Sequence, residues 1–260
     1  TIVNLFFENS TRTRISFELA QKRLSADTVN FSASTSSLKK GESFKDTAQN
    51  IEAMKIDAVV MRHPSPGAPY HLKEFIDAKI INAGDGTHEH PTQAILDMMS
   101  IQEKFGKIKG LNIAIIGDIY HSRVARSNIY GLVTMGANVT VCGPPNLIPQ
   151  EISELGVNIN YNIDEIVEWA DAVNVLRIQR ERMGIGLIPS SREYRKLFGI
   201  TNERMIRRKK ELVIMHPGPM NRGVEIDSEV ADSDQAIILD QVLNGVASRM
   251  SILYLLLGAK

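Results

Sequence analysis

The sequence predicts an α/β protein made of two doubly wound parallel-sheet domains joined by bridging helices. Short β-branched runs alternate with longer stretches of helical period along the whole chain. Several runs, such as residues 113–116, are continuously apolar, which is typical of parallel strands covered by helices on both faces. Strand-helix alternation over 260 residues indicates parallel sheets with right-handed crossovers and room for two domains.

The predicted elements follow from these runs in order. We predict strands over residues 2–7, 28–32, 57–61, 79–82, 112–117, 138–142, 156–161, 172–176, 212–215 and 236–239. We predict helices over residues 13–24, 44–54, 92–105, 122–135 and 243–257. Segment 104–110 connects the two halves, and the helix after Pro91 bridges them. The first domain then comprises residues 1–92 with the C-terminal helix 245–260, and the second comprises residues 93–244.

Composition excludes several functional classes. The 30 basic and 30 acidic side chains give a net charge of +0, which argues against nucleic acid as a partner. No apolar run approaches the roughly 20 residues that cross a bilayer, so no membrane partner is expected. The single cysteine, Cys142, cannot form an internal disulfide, which favours a cytoplasmic location. We expect Cys142 to be a buried small hydrophobe and not a nucleophile.

Hydroxyl and cationic residues follow the first predicted strand. The strand leads into Ser10, Thr11, Arg12 and Thr13 at the start of a helix. Ser10 or Thr11 is a suitable N-cap, and the amides of a helix N-terminus attract anions. The segment favours a phosphate site and an ordinary capping turn about equally.

Arg62 lies at the carboxyl end of the predicted strand 57–61, the end where ligands bind in open α/β sheets. Its guanidinium could hold a phosphate through two hydrogen bonds. On its own, a surface arginine in a loop containing Pro64 is the simpler interpretation.

A polar segment precedes the helix that begins near Pro91. We expect Pro91 to hold His90 and Gln93 in the exposed first turn, where they would bind a small polar ligand. One alternative is that His90 only caps the helix. The other is a metal site at His88 and His90, which lacks a further cluster to complete a tetrahedral set.

The second half carries carboxylate-binding candidates. Only one glycine, Gly117, follows its first strand, so the dinucleotide-binding fingerprint is missing. Arg123, near the next helix start, suits a carboxylate. Arg177 and Gln179 point the same way at the end of a predicted strand and could grip one carboxylate together. The turn 216–219, which contains Pro217, Gly218 and Pro219, is rigid and presents carbonyl oxygens to an NH2 group.

Together these residues predict an arginine-rich polar pocket with no metal, no nucleotide loop and no activated nucleophile. Such a pocket fits a dianionic phosphate and a second anionic substrate. Catalysis there would come from positioning and charge stabilisation.

The set of motifs resembles the catalytic chains of the aspartate carbamoyltransferase family. The resemblance covers nearly the whole chain, in the family's order, and rests on these segments: Ser10-Thr11-Arg12-Thr13-Arg14, Lys39-Lys40-Gly41-Glu42, Met61-Arg62-His63-Pro64, His90-Pro91-Thr92-Gln93, Arg177-Ile178-Gln179 and His216-Pro217-Gly218-Pro219. It implies carbamoyl transfer from carbamoyl phosphate to L-aspartate, which gives N-carbamoyl-L-aspartate and phosphate early in pyrimidine biosynthesis. It implies no cofactor and no metal.

The resemblance also implies a role for each matched residue. The domain 1–92 with 245–260 would bind carbamoyl phosphate, and the domain 93–244 would bind aspartate. The phosphate would be held by Ser10, Thr11, Arg12, Thr13 and Arg62. The carbonyl oxygen would be polarised by Thr13, Arg62 and His90, and the NH2 group would be bound by Gln93 and the carbonyls around Gly218 and Pro219. Arg123 would bind the α-carboxylate, and Arg177 with Gln179 the side-chain carboxylate.

Ser37 and Lys40 would reach the active site of a neighbouring subunit, so a homotrimer with shared sites is expected. Whether regulatory chains or a dihydroorotase also bind is left open.

The nearest rival is the ornithine carbamoyltransferase family, which has a cysteine in the turn that corresponds to 216–219. A catalytically dead scaffold is the alternative from another class, and the retained motif residues argue against it. The family has a few dozen residues before the first strand, and without them we expect the apolar face of helix 243–257 to be partly uncovered and trimer assembly to be weakened.

Overall fold

A computed structural model describes residues 1–32, 42–178, 190–208 and 210–258. The chain divides into two compact units. Unit 1 is Thr1–Thr92 with Leu243–Lys260, and unit 2 is Gln93–Val242. Segment 104–110, which we predicted to connect the halves, lies within unit 2.

Unit 1 is built on a four-stranded parallel sheet. Its strands are β1 Ile2–Phe6, β2 Thr28–Ser32, β3 Ala58–His63 and β4 Lys79–Asp85, in the order β2-β1-β3-β4. Its helices include α1 Thr11–Arg23, α2 Phe44–Ala53 and α3 Ala68–Leu72.

Both faces of this sheet are covered, because alternate residues of each strand point to opposite sides. Ala58 and Val60 of β3 pack in a cluster with Phe17 of α1. Val59 and Met61 pack in a second cluster on the other side, which includes side chains of α2 and α3. This explains why β3 is apolar from Ala58 to Met61, as expected of a doubly wound sheet.

Unit 2 contains a five-stranded parallel sheet. Its strands are β5 Asn112–Ile116, β6 Asn138–Cys142, β7 Asn158–Asn160, β8 Ala172–Val175 and β9 Val213–Met215, in the order β7-β6-β5-β8-β9. Its helices include α5 Arg123–Thr134, α6 Ile163–Trp169, α7 Ser191–Phe198, α8 Asn202–Arg207 and α9 Ser228–Ala231. Two clusters again cover the faces: Ile113 and Ile115 of β5 belong to one, and Ala114 and Ile116 to the other.

The unit boundaries fall inside or beside two long helices. These are α4 Pro91–Phe105 and α10 Ile238–Leu253, and a π-helical turn, Tyr254–Gly258, follows α10. The predicted fold class is confirmed, with parallel pairing between all neighbouring strands of both sheets.

The strand predicted at 236–239 is wrong. Ala236 forms only an isolated bridge to Ile214, and the residues from Ile238 onward begin α10. The physical reason is that a short apolar run fits a buried strand and a buried helix equally well. The predicted strand 156–161 shortens to β7, and the C-terminal helix begins five residues before the predicted position 243. None of the helices described here is both long enough and apolar enough to span a membrane.

Candidate active site

The first turn of α1 gathers the predicted phosphate-binding residues of unit 1. Ser10 occupies the N-cap position, as one of the two predicted alternatives, but the predicted capping hydrogen bond from its side chain is not formed. The first turn also has no acidic residue, so nothing within it neutralises the positive end of the helix dipole. Thr11 and Arg12 are exposed there and Thr13 is buried. The turn is therefore suited to an external anion.

Arg62 approaches this turn from the neighbouring strand. It lies where the pairing of β3 with β4 shifts register, between Met61 and His63. Its Nη1 donates to the Ala83 carbonyl at 3.3 Å, and its Nε lies 3.3 Å from Oε2 of Glu8, in the loop before α1. The fold thus brings Arg62 close to the segment that contains Ser10. Only 13 % of the Arg62 side chain is exposed, so the simpler interpretation as a solvated surface arginine is wrong. Sequence reasoning assigned no role to Glu8.

A buried carboxylate, Asp85, organises the loop before His90. Its oxygens accept hydrogen bonds from Asn82 Nδ2 at 2.8 Å and from the Gly67 amide at 2.6 Å. His88 Nδ1 lies 3.0 Å from the same carboxylate, so this histidine anchors the loop. Among the described residues, no group of three metal-binding side chains forms. His90 is 4 % exposed, so our expectation of an exposed first turn is wrong.

Sequence reasoning missed Arg249, a buried cation on α10 in unit 1. Its Nη1 donates to Ser16 Oγ at 2.8 Å and to the Gly245 carbonyl at 3.0 Å. The guanidinium also lies 5.0 Å from the Phe17 ring centroid. Arg249 therefore ties α10 to α1, directly behind the helix whose first turn carries the candidate phosphate site. Arg249 lies within a 16-residue amphipathic helix, and no pattern in the neighbouring sequence indicates that this arginine is buried.

Unit 2 places a second arginine at a helix start. Ser122 is the N-cap of α5, and its Oγ accepts from the Ala125 amide at 3.1 Å. Arg123 follows as the first helical residue and is only 5 % exposed. Arg123 therefore places a buried guanidinium at the start of α5, and a guanidinium can bind a carboxylate through two parallel hydrogen bonds.

Arg177 lies two residues beyond the end of β8, which is one residue shorter than the predicted strand 172–176. The segment is held in place by Asn221, whose Nδ2 donates to the Ile178 carbonyl at 3.2 Å. Gln179, Ser37 and Lys40 lie outside the described residues.

The turn after β9 is fixed from both sides. The His216 amide donates to Gln241 Oε1 at 2.9 Å, and the Gly218 amide donates to His216 Nδ1 at 2.8 Å. Gly218 has φ 64°, which a residue with a side chain rarely adopts. Gly218-Pro219 is a cis peptide. Because the Gly218 amide is used internally and Pro219 has no N–H, the turn offers mainly carbonyl oxygens to a ligand.

Gln93 and Cys142 complete the sequence candidates in unit 2. Gln93 is 8 % exposed, and its Nε2 donates to Asp97 at 2.9 Å. The prediction of a buried, inert cysteine is confirmed. Cys142 is fully buried, and burial raises its pKa to about 12.

Comparison with known proteins gives the same family over both units. Residues 1–103 match the family described as the carbamoyl-P binding domain of aspartate/ornithine carbamoyltransferase, and residues 109–256 match its Asp/Orn binding domain. The "Aspartate carbamoyltransferase catalytic subunit" of Christiangramia forsetii is 62 % identical over 98 % of this chain and 83 % of its own length. The protein of the same name from Gemmatimonas aurantiaca is 60 % identical over 100 % of this chain and 82 % of its own length.

Solved structures agree with the sequence comparison. Aspartate transcarbamoylase from Trypanosoma cruzi in complex with N-(phosphonacetyl)-L-aspartic acid superposes with a TM-score of 0.87 at 34 % identity, covering 97 % of this chain and 82 % of that one. Ornithine carbamoyltransferase from Pyrococcus furiosus superposes with a TM-score of 0.86 at 27 % identity, covering 100 % of this chain and 85 % of that one. The chain therefore belongs to the aspartate/ornithine carbamoyltransferase family, with relatives of about 60 % identity that are aspartate carbamoyltransferase catalytic subunits.

Proposed function

We propose that this chain transfers the carbamoyl group of carbamoyl phosphate to the amine of L-aspartate. The amine nitrogen bonds to the carbonyl carbon, the bond from that carbon to the phosphate oxygen breaks, and the amine loses a proton. N-carbamoyl-L-aspartate and phosphate are the products. The observation that carries the proposal is the buried Arg123 at the positive end of α5, in the part of the chain that matches an Asp/Orn binding domain.

Unit 1 is proposed to bind carbamoyl phosphate. Its phosphate would be held at the first turn of α1 and by Arg62, through Ser10, Thr11, Arg12 and Thr13. The carbonyl oxygen, which becomes negative in the tetrahedral transition state, would be stabilised by Thr13, Arg62 and His90. Thr13 and His90 are buried, so their hydrogen bonds would act in a low dielectric, where such stabilisation is strongest.

Unit 2 is proposed to bind aspartate and the substrate's NH2 group. Arg123 would bind the α-carboxylate, and Arg177 with Gln179 the side-chain carboxylate. The NH2 group would donate to Gln93 and to the carbonyls at Gly218 and Pro219. The Trypanosoma cruzi relative has been solved with carbamoyl phosphate and aspartate together, which is consistent with this pair of substrates.

The ornithine reaction is the second candidate, because an ornithine carbamoyltransferase shares this fold. Two observations disfavour it. Arg177, which is proposed to bind the side-chain carboxylate, would repel a cationic side chain, and the turn 216–219 carries Pro217 and no cysteine. The only cysteine, Cys142, is buried at the end of β6.

The proposed active form is a cytoplasmic homotrimer in the pyrimidine pathway, working without a cofactor. Lys40 and Ser37 of one subunit would complete the site of the next. The Lys40 cation would add a further charge contact to the site, and exclusion of water would strengthen every charge contact there.

The test is product formation from carbamoyl phosphate with L-aspartate or L-ornithine in parallel. We expect carbamoyl aspartate alone, and citrulline as the only product would overturn the proposal. Arg62→Ala and His90→Ala should each lower kcat on the order of 10²-fold or more, as the loss of an oxyanion donor does. Near-native turnover in both variants would contradict the site assignment.

Two matched controls accompany these variants. Arg222→Ala removes an exposed arginine paired with Asp232, and His71→Ala removes an exposed histidine paired with Glu74. Both controls should retain the wild-type rate.

A further inference from the structure

Four side-chain amides of unit 2 converge on one buried carboxylate, that of Asp97 on α4. Oδ1 accepts from Gln93 Nε2 at 2.9 Å and from Gln241 Nε2 at 2.7 Å. Oδ2 accepts from Asn128 Nδ2 at 2.8 Å and from Asn174 Nδ2 at 3.1 Å. Asp97 has no exposed surface, and all four partners are neutral.

An ionised carboxylate only accepts hydrogen bonds, so each amide must turn its NH2 group toward Asp97 and its carbonyl oxygen away. The oxygen of Gln241 then accepts from the His216 amide, at the start of the turn 216–219. The oxygen of Gln93 is directed away from Asp97 in the same manner. One carboxylate oxygen therefore sets the polarity of Gln93 and, through Gln241, anchors the turn.

We propose that Asp97 is the positioning residue for the groups that bind the NH2 of carbamoyl phosphate. This inference rests on the proposed function. Those groups are Gln93 and the carbonyls at Gly218 and Pro219. Gln93 can accept from an NH2 group only if its oxygen, and not its nitrogen, faces the substrate, and Asp97 determines which of the two does.

The cluster is a costly arrangement if its only role is stability. Within the described part of the chain, Asn128 Oδ1 and Asn174 Oδ1 are buried without a hydrogen-bond partner, and a buried unsatisfied acceptor is unfavourable for stability. Burial also raises the pKa of Asp97 to about 6, against the opposing effect of its four hydrogen bonds. The network leaves two acceptors unsatisfied around a buried charge. Orienting the four side-chain amides is therefore a better explanation for the network than stabilising the fold.

Three of the four amides lie on, or just before, the segments that carry the proposed substrate groups of unit 2. Asn128 is on α5, five residues after Arg123, and Asn174 is on β8, three residues before Arg177. Gln93 is in the first turn of α4. Hydrogen bonds to the buried Asp97 thus fix the positions of α4, α5 and β8 relative to one another.

The test compares carbamoyl phosphate with acetyl phosphate, which has a methyl group in place of NH2. The Kd of each is measured on the assembled enzyme, and their ratio is the preference for NH2. Asp97→Asn introduces a donor into the cluster, so at least one amide must turn over or lose its bond. We expect the preference to fall about tenfold or more, because a site built around a polar group discriminates through that hydrogen bond.

A merely structural role predicts a different outcome. If Asp97 only stabilised the fold, Asp97→Asn would weaken both ligands equally and leave the preference unchanged, and that result would overturn the inference. Gln241→Ala is the second variant, in case Asp97→Asn does not fold. It cuts the link to His216 and should also lower the preference, and an unchanged preference there would equally contradict the inference.

Glu165→Gln is the matched control, because Glu165 also accepts from two amides, those of Asn160 and Asn162, on the exposed side of unit 2. It should leave the preference unchanged. If the wild-type protein forms no carbamoyl aspartate, the proposed function fails. If it forms the product but Asp97→Asn keeps the preference, only the present inference fails.

Discussion

At the residue scale, Asp97 makes the stability of the protein depend on pH. Burial raises its pKa from 3.8 to about 6, so between these values the folded state retains a proton that the unfolded state has lost. The stabilising contribution is complete below pH 3.8 and is lost as the pH rises through 6. The free energy of unfolding should therefore fall by about 3 kcal/mol across this window through Asp97 alone.

The side chain introduced by Asp97→Asn does not titrate. Urea unfolding of the wild type and of Asp97→Asn at pH 4.5, 5.5 and 7 therefore measures how much Asp97 contributes to the pH dependence of the free energy of unfolding. The stability difference between the two proteins should change with pH in the stated direction. A constant difference would show that Asp97 does not titrate in this range. Glu165→Gln, which removes an exposed carboxylate, controls for general charge effects.

At the scale of elements, the two serines at helix starts should behave differently. Ser122 caps α5 with a 3.1 Å hydrogen bond, so Ser122→Ala should cost about 1 kcal/mol of stability. Ser10 makes no capping bond, so Ser10→Ala should cost little stability and instead weaken carbamoyl phosphate binding. Urea denaturation and the Kd of carbamoyl phosphate check both variants. A stability loss at Ser10 equal to that at Ser122 would contradict the absence of a capping bond at Ser10, and an unchanged Kd would contradict its phosphate role.

Element boundaries were predictable where local chemistry is unambiguous. Strands β2 and β6 begin and end where the β-branched runs predict, because both are short, bounded runs. The segment beginning at Ala236 was not predictable, because its apolar residues suit a strand and the buried start of α10 alike. Several short helices, such as α6 and α9, also escaped prediction, since fewer than eight residues carry little periodicity.

At the scale of the whole molecule, the proposed trimer predicts complementation. If Lys40 acts in the neighbouring subunit, then Lys40→Ala and Arg177→Ala chains are each inactive alone. In an equal random mixture, about one interface in four combines an intact Lys40 with an intact Arg177, because each is supplied by a different chain. Reassembled mixtures should therefore recover about a quarter of the wild-type activity.

Mixed trimers must be verified by mass before activity is measured. The absence of recovery in verified mixtures would argue against shared sites. Trimers of wild type mixed with Arg222→Ala are the control and should remain fully active.

The sequence by itself determined the fold class and the family. The fold class depends on local patterns, namely apolar runs between helical stretches, and a short window of sequence contains each of them. The family depends on six short motifs that occur in the family's order along nearly the whole chain. The residues proposed to contact substrate could be named because they lie within those motifs.

Only the tertiary structure decided which groups support those residues. Glu8, in the loop after β1, meets Arg62 of the neighbouring strand β3, and Arg249 contacts Ser16, 233 residues away along the chain. The partners of Asp97 lie 4, 31, 77 and 144 residues away in sequence. Hydrogen bonds and ion pairs depend on separation in space and on burial, and a local pattern of residue types contains neither.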